Sequence, residues 1–572
     1  MARYAFTAGL LGLLPALAHA MHGLPVPISK LRQQSKWTKV GVTAAAIHDA
    51  AAPADATYPT YTLSVPVDHF HNDSLYEPHS DEFFDLRYWF DAQWYEEGGP
   101  VIVLAGGETS GEDRFPFLQK GILYQLAKAT KGVGVILEHR YYGESWPVAD
   151  TSTENMRFLT TDQALADTAY FAQHVVFPGL EDVDLSSNST AYIAYGGSYA
   201  GAFVAFLRKL YPDVYWGAIS SSGVTQAIWD YWQYFEAAMT FGPAACIETA
   251  KKLTHVVDNI LIGQKGTEWP DKLKRAFGYS TKLSDADFAS SIVGGIYDLQ
   301  SYNWDPAVGA TDFFSYCDAL ANDTVVHPET EAKRDDAQDL LKIGGYGDQL
   351  DTLTNHLLNY IGEVGSTVLS DCVGDTYACF NTENKTFYAQ DSSLDTWRSW
   401  PYQYCTQWGF LQTGSGVPAG ELGVVSRTVD VEYSATVCRD AFNLTGVADV
   451  GAINKHGGFG ISYPRLAIVD GEWDPWRAAT PHALGQPERQ STLSEPFLII
   501  DKGVHHWDEN GLFANETTPD LPPKSVAAAQ DALRAAVVSW VEEYQSRKNG
   551  TGTGSGSSKA RFARHRPSSR WL

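Results

Sequence analysis

The chain has 572 residues, 44% of them hydrophobic and 13% aromatic, with 17 Trp and 30 Tyr. That composition supplies a large buried core and excludes an intrinsically disordered protein. A formal net charge of -26 argues against nucleic acid as a partner, because an acidic surface repels phosphates.

Met1 to Arg3 give a short positive start, "FTAGLLGLLPALAHA" an apolar core, and Ala18-His19-Ala20 a small-x-small pattern. These are the parts of a secretory signal peptide over 1–20, with cleavage expected after Ala20. No later run reaches about 18 apolar residues, so no membrane span is expected. Residues 21–60 are mixed and loop-like, a pro-segment or a strap over the body.

Residues 61–225 alternate strand-like and helix-like pieces. "RYWFDAQWY", "PVIVLAGG", "GVGVILEHR", "TAYIAYGG" and "YWGAISSSG" are strand candidates. Between them, "TTDQALADTAYFAQHVV" has helical spacing with Thr161 as a candidate cap, and "YAGAFVAFLRKLYP" is a second helix. Short apolar runs separated by helices indicate a parallel α/β sheet covered on both faces.

Residues 226–450 change character, with helical stretches such as "WDYWQYFEAAM" and "IETAKKLTHVVDNIL". All six cysteines lie here: Cys246, Cys317, Cys372, Cys379, Cys405 and Cys438. An even count in an oxidising compartment favours three disulfides, and no C-x-x-C pair suggests zinc or thioredoxin-like chemistry. If neighbours along the chain pair, the bridges are 246–317, 372–379 and 405–438. Asn-x-Ser/Thr sequons stand at Asn72, Asn188, Asn322, Asn384, Asn443, Asn515 and Asn549, and secretion makes them candidate glycan sites.

The α/β pattern resumes over 451–547. "RLAIVDG" and "PFLIIDKG" read as strands, and "SVAAAQDALRAAVVSWVEEYQSR" as an amphipathic helix with Leu533, Val537, Val541 and Tyr544 on one face. Residues 548–572 are Gly/Ser-rich and then basic, a disordered tail without the apolar end of a lipid-anchor signal.

"YGGSYAGAF" at 195–203 joins a strand run to a helix run through small residues around Ser198. A nucleophile elbow needs this pattern, because its serine sits in a strained turn that tolerates only small neighbours. The hydroxyl then needs a base, itself oriented by an acid, in the order Ser, acid, His. "RLAIVDGEWDPW" offers Asp470 at the strand end and Asp474 on the loop, and "PFLIIDKGVHHWDEN" offers His505 and His506 just after the next strand. Oxyanion donors are expected from the backbone of Tyr199 and from the "LAGGETSG" loop, at Gly107 or Glu108. "HHWDE" lacks the i, i+4 spacing of a zinc helix, so neither metal nor cofactor is expected. The sequence carries no sign of an oligomeric state.

Seven further stretches resemble one known family: "RKLYPDVYWGAISSS", "EHRYYGES", "LTTDQALAD", "DYWQYF", "FFSYCDA", "DGEWDPW" and "KGVHH". With "GGSYAG" they are similar to the serine peptidases that include lysosomal Pro-Xaa carboxypeptidase, dipeptidyl peptidase II and the secreted fungal acid prolyl endopeptidases. The resemblance spans about 60 to 545. It implies an α/β-hydrolase domain in two parts, 61–225 and 451–547, with the helical cap 226–450 between the nucleophile and acid strands. It places the family's catalytic residues on Ser198, Asp474 and His505, and implies cleavage of peptide substrates after proline. A carboxypeptidase is the expectation, with a dipeptidyl peptidase, an endopeptidase or, further off, an esterase as alternatives. Three departures stand out: Ala200 for a frequent glycine, "GGET" for G-N-E-G, and Gln407 where relatives often carry Glu, at a position that would shape the substrate pocket.

Overall fold

A computed structural model describes residues 58–550 apart from Ser393 and Asp395. The expected signal peptide, most of the 21–60 segment and the chain beyond Gly550 lie outside the described residues.

Among the described residues, ten strands follow in chain order: β1 (Tyr61–Pro66), β2 (Phe83–Asp91), β3 (Val101–Ala105), β4 (Val133–Leu137), β5 (Tyr192–Gly197), β6 (Gly217–Ser221), β7 (Ile228–Asp230), β8 (Gly409–Leu411), β9 (Leu466–Gly471) and β10 (Phe497–Ile500). Eight form one sheet in the order β1-β2-β4-β3-β5-β6-β9-β10. β2 runs antiparallel to both β1 and β4, and the remaining pairs are parallel. This is the sheet of an α/β-hydrolase. Its central strands are runs such as VIVLA, VGVIL and LAIVDG, because helices cover them on both faces and alternation has no use there.

The helix Tyr199–Leu210 lies against β5 and β6. Phe203, Val204, Phe206 and Leu207 on it are all buried to 2% exposure or less. Each contributes roughly 1.5–3 kcal/mol by leaving water. This packing fixes the turn that carries Ser198. The last helix, Lys524–Gly550, buries Leu533, Val537, Trp540 and Val541, and Tyr544 meets Trp216 edge-on at 5.4 Å.

β6 pairs directly with β9, Ala218 opposite Leu466, so the long intervening segment leaves the sheet unbroken. That segment is mostly helical, including Ala244–Leu261 and Leu350–Thr367. Disulfides join Cys246 to Cys317, Cys372 to Cys379 and Cys405 to Cys438. The parallel β7–β8 pair, Ile228 opposite Gly409, ties the start of this segment to its later part.

Some local expectations shift. β2 begins at Phe83 and ends at Asp91, earlier than "RYWFDAQWY", because pairing with β1 recruits Phe83 to Asp85. β1 itself has no counterpart among the strand candidates. The helix Thr161–His174 is capped by Thr160, whose extended backbone lets its hydroxyl accept from Gln163 N; Thr161 is already inside the helix. The final helix reaches Gly550, so residues 548–550 are helical and not part of a disordered tail.

Candidate active site

β5 ends in Gly196-Gly197 and the next helix starts at Tyr199, leaving Ser198 alone at the turn with φ 64° and ψ -127°. A non-glycine residue there stores about 1–3 kcal/mol of strain. The turn is held by Ser198 N donating to Ser221 O at 2.9 Å and by Gly201 N donating to Ser198 O at 2.9 Å. A methyl at Gly196 would lie 2.1 Å from the Ala200 carbonyl oxygen, and one at Gly201 would lie 2.7 Å from the Ser221 carbonyl oxygen. Glycine is therefore required at 196 and 201, while position 200 accepts alanine.

Ser198, Asp474 and His505 converge. His505 Nε2 lies 2.8 Å from Ser198 Oγ. Its Nδ1 faces Asp474 at 2.9 and 3.1 Å. All three are buried, with Ser198 and His505 each 6% exposed. Burial opposes ionisation of Asp474, but the His505 imidazole, the Ser222 hydroxyl and the Trp476 amide outweigh it and hold the carboxyl below its usual pKa. Such a chain can draw a proton from the serine and stabilise the resulting imidazolium.

The alternatives of the same two loops are engaged elsewhere. Asp470 pairs with His482 Nδ1 at 2.6 Å, and the His482 ring stacks on Phe497. His506 turns away at φ 38°, with its Nδ1 2.9 Å from Glu509 Oε2, and its backbone N–H donates to Ser222 Oγ. Asp508 accepts from Ser221 Oγ and Tyr195 OH, and burial pushes its pKa up to about 6.

Gly107, at φ 69°, faces the same turn: a side chain begun there would be 3.5 Å from Ala200 Cβ. The Gly107 loop thus packs against the first turn of the helix that begins at Tyr199. Burial raises the neighbouring Glu108 to about 7. The Tyr199 hydroxyl meets His139 Nε2 at 2.9 Å, and burial lowers His139 to about 4, which keeps that ring neutral. Aromatic side chains surround this group. The Tyr199 ring lies against Trp400 and Trp408, and Trp476 faces His505 and stacks on Tyr231. Gln300 Oε1 accepts from both Trp476 Nε1 and Tyr234 OH. His139, Ser222, Asp508 and Gln300 had no role in the sequence-based expectation; "EHRYYGES" and "SSSG" contained the first two without showing what they touch. Gln407 uses its side-chain oxygen on Thr161 N at 3.0 Å, at a helix start.

Among the sequons, Asn72, Asn188, Asn443, Asn515 and Asn549 are exposed. Asn322 and Asn384 are half-buried, and their side-chain oxygens accept from Thr324 N and Phe387 N. Among the described residues, one set of side chains has metal-ligand atoms within 4.8 Å of one another: Asp68, His71 and His79. It lies between β1 and β2, with Asp68 already bonded to His79, Gln163 and the Phe70 amide. No helix among the described residues is long and apolar enough to cross a membrane.

The family model described as "Serine carboxypeptidase S28" matches residues 66–521. A "Probable extracellular serine carboxypeptidase" of Arthroderma benhamiae is 47% identical over 536 residues, 93% of this chain and 74% of the relative. "Serine protease vicPb" of Bipolaris victoriae is 30% identical over 494 residues, 82% of this chain and 87% of its own. Among solved structures, a proline iminopeptidase of Mycobacterium smegmatis aligns over 85% of this chain and all of its own, at 11% identity and a TM-score of 0.33, too loose to argue from.

Proposed function

Because the chain belongs to the serine carboxypeptidase S28 family and is a secreted serine-type peptidase, we propose that it releases C-terminal residues that follow proline, through an acyl-enzyme on Ser198. The 2.8 Å approach of His505 Nε2 to a strained Ser198 carries this reading. Ser198 Oγ attacks the carbonyl of the proline while His505 takes its proton. The oxyanion forms against the N–H groups of Tyr199 and the Gly107 loop, each such donor being worth roughly 10²–10³ in rate. His505 then gives its proton to the leaving amine. Water, activated by the same imidazole, hydrolyses the ester and frees Ser198. Asp474 holds the ring and offsets its charge. No cofactor takes part in this sequence.

The preference for proline rests on the aromatic surroundings. Tyr199, Trp400, Trp408 and Trp476, each 6% exposed or less, form an apolar aromatic wall behind the triad, a setting that suits a pyrrolidine ring. Digestion of a proline-containing peptide followed by mass spectrometry tests the reading. Loss of one residue from the C-terminus after proline is expected. Release of N-terminal dipeptides, or internal fragments, overturns the carboxypeptidase mode. Labelling by a fluorophosphonate probe should vanish in Ser198→Ala; retained labelling puts the nucleophile elsewhere.

A further inference from the structure

A peptidase confined to the C-terminus must recognise a free carboxylate, and Ser198, His505 and Asp474 offer no permanent cation for it. Arg114 does. It closes the 3-10 turn Gly111–Arg114, which follows the Gly106-Gly107 loop, and its side chain is half-buried. Its Nε donates to the Gly106 carbonyl at 3.0 Å, which ties the guanidinium to that loop. Its Nη2 stands 3.6 Å from the point where a side chain on Gly107 would begin, and Ala200 Cβ stands 3.5 Å from the same point. The missing side chain of Gly107 leaves a gap between this guanidinium and the turn that carries Ser198.

The other buried or half-buried arginines are spoken for. Arg87 has Glu138, Glu112 and Glu144, Arg140 has Asp167, and Arg208 and Arg398 have backbone carbonyls. Neither Nη of Arg114 has a hydrogen-bond or ion-pair partner among the described residues. Glu108 is an acid that feels its charge. The groups acting on Glu108, or acted on by it, are Arg114, His506, Tyr142 and Tyr199, with Glu509 behind His506.

We propose that Arg114 receives the terminal carboxylate of the peptide, its two Nη groups reaching past Gly107 to the residue that leaves. The guanidinium fork matches a carboxylate with two parallel bonds, a geometry a lysine cannot copy in full. The assignment rests on the carboxypeptidase reading above. Glu108 adds a dependence on acidity. Burial keeps its carboxyl protonated up to about 7, so in acid Arg114 faces the substrate without a neighbouring anion, and above neutrality Glu108 competes for it.

The test uses the full secreted chain and two N-blocked peptides that share one sequence with proline before the last residue. One ends in a free acid and the other in a carboxamide. The wild type is expected to favour the acid by roughly 100-fold in kcat/KM at pH 5, mostly through KM, and by less at pH 8. Arg114→Gln is expected to bring that ratio close to one by losing the acid substrate, and Arg114→Lys to restore part of it. A ratio that survives in Arg114→Gln overturns the assignment. So does an Arg114→Gln protein whose fluorophosphonate labelling falls with its peptidase activity, because Arg114 would then only shape the Gly106-Gly107 loop. A wild type that cuts acid and amide equally sinks the carboxypeptidase reading itself, before any variant is made.

Discussion

Two buried Asp–His pairs start from the C-terminal end of β9 and the loop that follows it, and the proposed mechanism gives them opposite fates. Asp474 faces His505 Nδ1 at 2.9 Å; Asp470 faces His482 Nδ1 at 2.6 Å. Replacing Asp474 by Asn keeps the volume and removes the charge that offsets the imidazolium. At an effective dielectric constant of about 20 and charge centres about 3–4 Å apart, that attraction is about 4–6 kcal/mol. The expected loss in kcat/KM for Asp474→Asn is therefore about 10³–10⁴, with Tm little changed. Asp470→Asn weakens a pair that touches no reacting atom. It should lower Tm by a few degrees and leave kcat/KM within about threefold, a residual allowance for small shifts of the neighbouring loop. Peptide hydrolysis, normalised to folded protein by circular dichroism and calorimetry, reads both. An Asp474→Asn protein within about tenfold of wild type, or a crippled but folded Asp470→Asn, would refute the assignment.

Stability should also depend on pH in a stated direction. Burial raises Glu108 to about 7 and Asp508 to about 6, so the native state holds more protons than the unfolded chain between about 4 and 7. Tm is then expected to fall as pH rises from 5 to 7.5, and Glu108→Gln to flatten that slope; a Tm that climbs over the same range contradicts it. Asp474 works the other way, and its contribution is present above about pH 4 and lost on further acidification. Among the disulfides, loop length ranks the cost of removal. The Cys246–Cys317 bridge closes 71 residues and Cys372–Cys379 only 7, which corresponds to about 4 and 2.5 kcal/mol in the chain-entropy account. Unfolding of the paired alanine variants should follow that order, and the reverse order would refute it.

The parts of the fold legible in the sequence are those where one physical requirement dominates. Strands buried on both faces must be apolar throughout, so β3, β4, β5, β6 and β9 show as contiguous runs. β1 escapes because, at the sheet edge, Tyr61, Leu63 and Pro66 are only half-buried and its pattern is weak. The turn at Ser198 is legible because sterics leave only small residues at 196 and 201. Choosing Asp474 over Asp470 is another matter. Asp470 closes β9 and Asp474 lies on the loop after it, and which of them reaches His505 depends on where that loop swings after Gly471, through contacts such as Trp473 N with Gly503 O. Gln407 shows the same limit: its bond to Thr161 crosses 246 residues, and no local pattern encodes it. Asp508 and Glu108 reveal their character only through burial.

The insertion between β6 and β9 separates Ser198 from His505 by 307 positions. During translation the hydroxyl therefore leaves the ribosome long before its base exists. The first six strands can assemble with the proposed nucleophile already on its turn, yet without His505 the nascent polypeptide would stay inert toward itself and its neighbours. On the proposed mechanism, hydrolytic power arrives only when β9 docks beside β6 and β10 beside β9, near the end of synthesis.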